Sequence, residues 1–512
     1  MIYIIILSAI AGTLGLYYFL FKDLNYFERH GVPHVKPFPL VGNMGPTILR
    51  RQSTIDFVKS MYDLYPDAKY IGVYDLNNNK TIMLRDPELI KSVTMKHFDM
   101  FMDRTSFVDE SVDPFFGKNL VVLRGERWRE VRAILSPAFT SSKMKNMFKL
   151  MSDCGVDFSD YLAKLPPEKR TLDVKDLFTR YTNDVIATCA LGISVDSIRN
   201  PKSDFYMHGV EATNLKSTII FKLFILKALP WLARMLKLSF ISRKAVNFFR
   251  DLIKTTIKAR DENNIVRPDM LQLMMESRDK DGKIELSIDD MIAQAFIFFF
   301  GGFENSATIM CFAAHEIAMN QNVQRKLQNE IDQVMENASE QQASYEAINS
   351  MEYLDAVINE TLRMYPVVIT LDRQCLKDFE LPSALPGTKP FTIKKGQSVW
   401  IPAYGLQRDP KYFEDPERFD PERFCGERKK NSLNCGGYFP FGLGPRMCIG
   451  NRFALLETKV LLFHLLARCK LVPCDKTPKS IKFAKSFTMK PEGGFWLNVI
   501  SRKNFLLEKN IS

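Results

Sequence analysis

From Met1 through Phe21 the chain carries no charged residue. As a helix rising ~1.5 Å per residue, this run reaches about 32 Å, enough to cross a hydrocarbon core of roughly 30 Å. It lacks the basic leading region of a cleaved leader, and its first charges, Lys22, Asp23, Arg29 and Lys36, lie on the carboxyl side. The pattern predicts a single-pass signal anchor over 1–21 with the body facing the cytoplasm. Pro33, Pro37 and Pro39 then predict a stiff, extended hinge over 22–45. Tyr70-Ile71-Gly72-Val73-Tyr74 and Thr81-Ile82-Met83-Leu84 flank Asn77-Asn78-Asn79 and read as a β-hairpin. Beyond it, apolar residues recur at helical spacing over 125–135, 142–165, 172–190, 243–262, 285–319, 321–336 and 351–365. A last long helix runs to residue 468, and Phe487 to Asn498, around Gly493-Gly494, is expected to form a second hairpin. No repeat and no internal linker divides residues 46–512. The expectation is one large domain, mainly α with small β-sheets, in the α+β class.

A hydrophobic share of 46% against 25% charged residues indicates a large core and excludes disorder. The net charge of +11 suits an anionic membrane surface or an acidic partner. With no zinc-finger spacing and no arginine-rich tract, nucleic acid is not an expected partner. The segment Ile219 to Phe240 is apolar but holds Pro230, Lys222, Lys227, Arg234 and Lys237, which argues against a second span. It reads either as a basic amphipathic patch dipping into the bilayer surface or as a buried helix pair. The nine cysteines are dispersed and odd in number, as in a reduced, cytosol-facing protein.

The chemistry concentrates in Pro440-Phe441-Gly442-Leu443-Gly444-Pro445-Arg446-Met447-Cys448-Ile449-Gly450. The glycines let the backbone turn tightly or lie close to a flat partner. Cys448 precedes a helix-favouring run, Phe453-Ala454-Leu455-Leu456-Glu457, whose amino-terminal NH groups favour a thiolate. Arg446 offers a carboxylate a fork of donors. A thiolate under a planar ligand, with a carboxylate-binding arginine beside it, describes haem iron held by cysteine. Irregular spacing of Cys425, Cys435 and Cys448 argues against zinc. The whole string resembles the haem-binding loop of the cytochrome P-450 superfamily.

Other segments extend that resemblance in the right order. Glu360-Thr361-Leu362-Arg363 followed by Pro421-Glu422-Arg423-Phe424 is similar to the family's Glu–Arg–Arg cluster. The resemblance gives Glu360, Arg363 and Arg423 a structural role, although Pro416-Glu417-Arg418-Phe419 repeats the second motif upstream. Trp128 and Arg132, four apart on one helical face, resemble the family's propionate-binding Trp-x-x-x-Arg helix. Arg104, Arg373 and Arg446 match further propionate contacts of animal members, and Phe441 opens the thiolate loop. Phe298-Phe299-Phe300-Gly301-Gly302-Phe303-Glu304-Asn305-Ser306 is similar to the oxygen-binding helix, with Asn305 where the family has threonine. Gly301 and Gly302 cost ~1 kcal/mol each relative to alanine, which either space for dioxygen or close helix packing would explain. The resemblance implies that Glu304 supplies acid–base chemistry. Asparagine is a poorer proton relay than a hydroxyl, so Ser306 or Thr308 would have to stand in for the missing threonine.

Taken together, the resemblance is to a microsomal cytochrome P-450 of the animal family-three clan, most like insect families six and nine. It implies the cytochrome P-450 fold and haem b (iron protoporphyrin IX). It further implies an endoplasmic-reticulum membrane location, electrons from NADPH-cytochrome reductase with cytochrome b5 as a second donor, and O2. Substrates would be small and apolar: xenobiotics, plant toxins, insecticides or lipids, in a pocket fringed by Phe107, Phe115, Phe116, Phe303 and Val367. Two alternatives stay open: a haem-thiolate isomerase or dehydratase acting on hydroperoxides without NADPH, and a non-catalytic haem- or ligand-binding protein. A basic surface of Arg127, Arg129, Arg428, Lys429 and Lys430 is expected to steer an acidic reductase.

Overall fold

The computed structural model describes the chain except at residues 106, 107, 109, 111, 112, 214–221, 223, 224, 227–229, 268, 278–285, 338–342, 487 and 503–512. Long helices dominate: α1 (Ile2–Phe21), α2 (Gly125–Leu135), α3 (Ser141–Ala163), α4 (Val174–Ile186) and α5 (Arg243–Asn263). They continue with α6 (Ile288–Gly301), α7 (Ala307–Met319), α8 (Gln321–Glu336), α9 (Glu352–Met364) and α10 (Asn451–Arg468). The expected helices are present, and the fold is mainly α with small sheets.

The strands are β1 (Tyr70–Tyr74), β2 (Lys80–Leu84), β3 (Thr171–Asp173), β4 (Leu371–Gln374), β5 (Phe379–Leu381), β6 (Phe391–Ile393), β7 (Ser398–Ile401), β8 (Cys469–Val472) and β9 (Trp496–Ser501). They form a four-stranded sheet in the order β1-β2-β7-β4, a three-stranded sheet β3-β9-β8 and the pair β5-β6. The first predicted hairpin holds. Asn77 and Asn78 take φ of 60° and 53°, a left-handed conformation that asparagine tolerates. The second is displaced. Backbone bonds Ala484 N to Lys490 O (2.9 Å) and Glu492 N to Lys482 O (2.8 Å) close a turn earlier in the chain. After Gly493-Gly494 the backbone instead joins β3 and β8 as β9. The sequence pattern marked the turn but not which strand would claim its far side. Phe487 itself lies outside the described residues.

Two features position the site. α10 is apolar around nearly its whole circumference because it is buried from Leu456 to Ala467. It lies close to α3 at Gly155, where a Cβ would come 2.9 Å from the His464 ring. The apolar run 288–319 is long enough to cross a membrane, but 61% of its most apolar window is buried in protein, so it forms the core instead. Residues 22–45 are docked on the first sheet. Phe27 is fully buried over Gly72, where a Cβ would lie 2.4 Å from its ring. Gly72 N donates to Pro33 O at 2.8 Å, and Lys80 pairs with Asp23 at 3.0 Å.

Candidate active site

Cys448 ends a tightly closed loop. Its amide donates to Phe441 O (2.8 Å), while Gly442 N donates to Phe439 O (2.9 Å) and Met447 N to Gly444 O (2.9 Å). Gly442 and Gly444 have φ of 84° and 66°. At Gly444 any side chain would collide with Thr94 O, 2.1 Å from an ideal Cβ, so only glycine lets the loop seat there. Burial pushes the Cys448 thiol up, opposed by the Gly450 backbone NH, Arg104 and Arg132. The sulfur-bearing side chain nonetheless keeps an open surface. Enclosed at long range and open at short range, it borders an internal space. Among the described residues no three metal-ligating side chains cluster, so Cys425 and Cys435 do not join Cys448 in a zinc site.

Arg104, Arg132, Arg373 and Arg446 converge around that space. Burial, then the charge of Arg104, holds Arg373 down to about 10. The same two causes, with Arg373 adding to them, hold Arg446 down to about 9. Arg132 is also lowered, first by burial. Arg446 is fixed by Met102 O and Leu123 O, both at 2.8 Å, and lies over the Trp128 ring at 4.0 Å. Arg373 donates to Asp372 O (2.7 Å) and Leu443 O (3.4 Å); Arg104 donates to Arg446 O (3.3 Å). Yet Arg104 Nε, Arg373 Nε and Arg446 Nη1 are buried with no hydrogen-bond partner. Buried like charges with unspent donors are costly unless an anion completes them. A thiol beside four guanidiniums therefore fits an iron-bearing ligand with two carboxylates.

The thiolate loop is braced from behind. Glu360 and Arg363, both fully buried, make a forked pair at 2.7 and 2.9 Å. Glu360 also accepts from Asp420 N (2.9 Å) and Arg423 Nε (3.4 Å). Arg363 donates to Gln407 O (2.8 Å), and Gln407 accepts from Phe439 N (3.2 Å), where the Cys448 loop begins. Arg423, not Arg418, faces Glu360. Glu417 of the upstream motif pairs with Arg408 instead.

Between α6 and α7 the helix widens to a π-type turn over Gly302–Ser306, a distortion that recurs at functional sites. The two glycines divide the tasks that sequence left as alternatives. A Cβ at Gly301 would meet nothing within 4 Å, whereas one at Gly302 would lie 2.9 Å from Ile186. Asn305 is exposed, while Ser306 and Thr308 are buried. Ser306 faces Glu457, whose ionisation it influences. Thr308 donates to Glu304 O (2.8 Å) and accepts from Lys175 Nζ (2.9 Å). The Thr308 hydroxyl is thus engaged on both sides, so the expectation that a neighbouring hydroxyl replaces the missing threonine meets a geometric obstacle at Thr308. Glu304 forms an ion pair with Lys175 at 2.9 Å. Phe303 is 1% exposed and packs on Phe299 and Tyr206, so it belongs to the core and not to a pocket rim. Phe107 lies outside the described residues.

A family model described as Cytochrome P450 matches residues 32–498. The chain belongs to the cytochrome P450 family. It is 44% identical over 510 residues to "Cytochrome P450 9e2" of Blattella germanica, covering 94% of each chain. It is 40% identical over 514 residues to "Probable cytochrome P450 9f2" of Drosophila melanogaster, covering 97% of this chain and 98% of the relative. To "Cytochrome P450 6j1" of Blattella germanica it is 34% identical over 493 residues, 96% of each. This P450 is accordingly a haem-thiolate monooxygenase that works with a redox partner, a substrate and O2. The isomerase and non-catalytic readings are not favoured by these relatives.

Two residues of this P450 escaped the sequence reading. Lys175 stood in no motif. Glu457 had a signal, the one acidic residue in the largely apolar run Phe453 to Leu462, on a face that proves buried. The basic surface is also more neutral than composition implies. Arg127 pairs with Asp290 (3.0 Å), Arg129 with Asp99 (2.5 Å), Arg428 with Asp420 (3.0 Å) and Lys429 with Asp355 (3.0 Å).

Proposed function

We propose that this P450 holds haem b on Cys448 at the endoplasmic-reticulum membrane and oxidises small apolar foreign compounds. Its electrons come from NADPH-cytochrome reductase, with cytochrome b5 as an auxiliary donor. The observation that carries the site is the set of unpartnered guanidinium N–H groups around a thiol that borders an internal space. In this reading Arg104, Arg132, Arg373 and Arg446 bind the propionates, Trp128 steadies Arg446, and Glu360, Arg363 and Arg423 hold the thiolate loop in shape. Bound haem supplies the redox chemistry that activates dioxygen. Glu304 is the acid–base group at the wide helical turn, its Oε1 paired with Lys175 Nζ at 2.9 Å. Asn305 orients water through its carboxamide. The aromatic wall excludes bulk water from the reacting centre.

Attachment to the membrane rests on α1, twenty uncharged residues, exposed wherever its side chains are described. A second contact is supported by Trp231, Met235 and Leu236, exposed by 60%, 65% and 52% beside Arg234 and Lys237. Much of the Ile219 to Phe240 segment lies outside the described residues. The test of the site is Cys448→Ser. The red-shifted absorbance band of the reduced carbon monoxide complex should vanish, while Cys425→Ser and Cys435→Ser keep it. A haem-loaded Cys448→Ser protein that retains the band would show that another residue is the ligand. A spectral screen of plant toxins and insecticides then tests the substrate class.

A further inference from the structure

Two places in the chain set a pair of basic residues three and two positions ahead of a serine: Arg50-Arg51-Gln52-Ser53 and Lys429-Lys430-Asn431-Ser432. The fold separates them. Ser53 is 1% exposed and caps a helix, its hydroxyl accepting from Asp56 N at 3.0 Å and donating to Asp56 Oδ2 at 2.7 Å. Ser432 lies in the last turn of a short helix, Gly426–Asn434, none of whose residues is buried. Lys430 is exposed ahead of it, and the residue after it, Leu433, is 42% exposed. Glycines bound the helix, Gly426 with φ of 50° at its start and Gly436 with φ of 78° just past its end. A helix this short is marginal by itself, so the segment can open into the extended form in which an enzyme reads a peptide.

The Ser432 hydroxyl ties this helix to the turn behind it, donating to Arg423 O at 2.9 Å. Arg428 and Lys429, one helical turn earlier, share its face. Arg428 pairs with Asp420 and Lys429 with Asp355, each at 3.0 Å. Two of these three ties reach the turn 420–424, whose Asp420 amide and Arg423 side chain both bond Glu360 behind the thiolate loop. A phosphate on Ser432 would bring a charge of about −1.5 to −2 and set acceptor oxygens where a donor stood. It would repel the Arg423 carbonyl, draw Arg428 from Asp420, and sit at the negative end of the helix dipole. Arg423 keeps Asp415 O (2.8 Å), Asp355 keeps Lys459 (3.1 Å) and Glu422 keeps Lys326 (2.6 Å), so the turn would loosen without unfolding.

We propose that Ser432 is a phosphorylation site for a protein kinase that selects basic residues ahead of serine, and that phosphate there loosens the 420–424 turn and the thiolate loop it braces. The reaction is phosphoryl transfer from ATP. The bond from Ser432 Oγ to the γ-phosphorus forms, the bond from that phosphorus to its bridging oxygen breaks to release ADP, and the hydroxyl proton passes to a carboxylate of the kinase. The proposal rests on the haem-site reading above only for its absorbance readout.

The experiment treats the full-length, haem-loaded protein with ATP and the catalytic subunit of cyclic-AMP-dependent protein kinase, a basic-directed enzyme, and maps phosphate by peptide mass spectrometry. Wild type should take up about one phosphate per chain, on Ser432 and not on Ser53, and Ser432→Ala about tenfold less. In the same samples hydrogen exchange at the Asp420 amide should speed up about fivefold, the worth of roughly one hydrogen bond. The red-shifted band of the reduced carbon monoxide complex should decay faster on warming by a similar factor. Neither quantity should depend on ATP in Ser432→Ala. Phosphate elsewhere with Ser432 untouched would overturn the site. Full phosphorylation of Ser432 with unchanged Asp420 exchange would overturn the loosening. Should Ser432→Ala not fold, wild type incubated with a non-hydrolysable ATP analogue supplies the same comparison. A wild-type chain that binds no haem would refute the haem reading, while the phosphate map and Asp420 exchange would still decide this one.

Discussion

Replacing Glu457 by glutamine should make the protein more stable at neutral pH, by an amount that grows with pH. Glu457 is fully buried on α10, and neither carboxyl oxygen meets hydrogen-bond geometry with a described group. Burial raises its pKa to about 8, with the Ser306 hydroxyl pulling the other way. The folded chain therefore keeps this proton between its ordinary value of 4.5 and about 8, whereas the unfolded chain releases it. More protons are bound in the folded state across that window, so stability falls as pH rises through it, by about 1.4 kcal/mol per unit once well above the unfolded pKa. The accumulated loss is on the order of 3 kcal/mol at pH 7. An unfolding entropy of roughly 2 cal/mol/K per residue gives about 1 kcal/mol/K for a chain of this size, hence a difference of about 3 °C in Tm. Calorimetry of wild type and Glu457→Gln at pH 5.5, 6.5 and 7.5 measures the gap directly. Glutamine occupies the same volume and stays neutral, so the gap should be small at pH 5.5 and widen steadily. A gap of constant size across the series would mean that Glu457 does not titrate in this window, and the reasoning from its burial would be wrong.

Arg363→Leu should leave the buried Glu360 without its forked partner, held only by Arg423 and the Asp420 amide, at a cost of roughly 3 kcal/mol, read as lost haem incorporation. Arg418→Ala, on an exposed residue, should change stability by less than about 0.5 kcal/mol. Asn305→Thr should raise product formed per NADPH consumed and lower hydrogen peroxide release. Thr308→Ala should not uncouple turnover, since its hydroxyl already bonds Glu304 O and Lys175 Nζ; strong uncoupling there, or in Ser306→Ala, would assign the relay to that hydroxyl. Reversing Lys430 and Lys429 to glutamate should slow reduction by the reductase more at low than at high salt. Because Lys429 is already paired with Asp355, the effect should come mainly from Lys430, which the two single variants resolve.

The sequence made the thiolate loop and the order of motifs legible because they depend on residue type at fixed spacing. Cys448 with its glycines, and Glu360 with Arg363 one helical turn apart, need no knowledge of the rest of the chain. Choosing Arg423 over Arg418 was already harder, since it depends on how the chain returns to α9 after residue 420. What stayed hidden was tertiary. Lys175 lies more than a hundred residues from Glu304 and is brought to it by the packing of α4 on the wide turn. Ser306 and Thr308 differ from Asn305 only in azimuth, and the π-type turn that sets their azimuth leaves no mark in the hydrophobic pattern. The neutralised basic surface escaped for the same reason. Composition counts charges, whereas pairing depends on which acidic residues the fold brings alongside.

The docking of residues 22–45 on the first sheet decides where this chain can be shortened. Cutting after Phe21 removes α1 alone and leaves Phe27 in its slot over Gly72. Cutting at Pro39 also discards that ring, the Asp23–Lys80 pair and the bond from Gly72 to Pro33 O. The loss of a buried phenylalanine is worth roughly 3–5 kcal/mol by itself. The strap is thus part of the catalytic body's own architecture, and a chain shortened beyond it loses a piece of the sheet's packing rather than a tether.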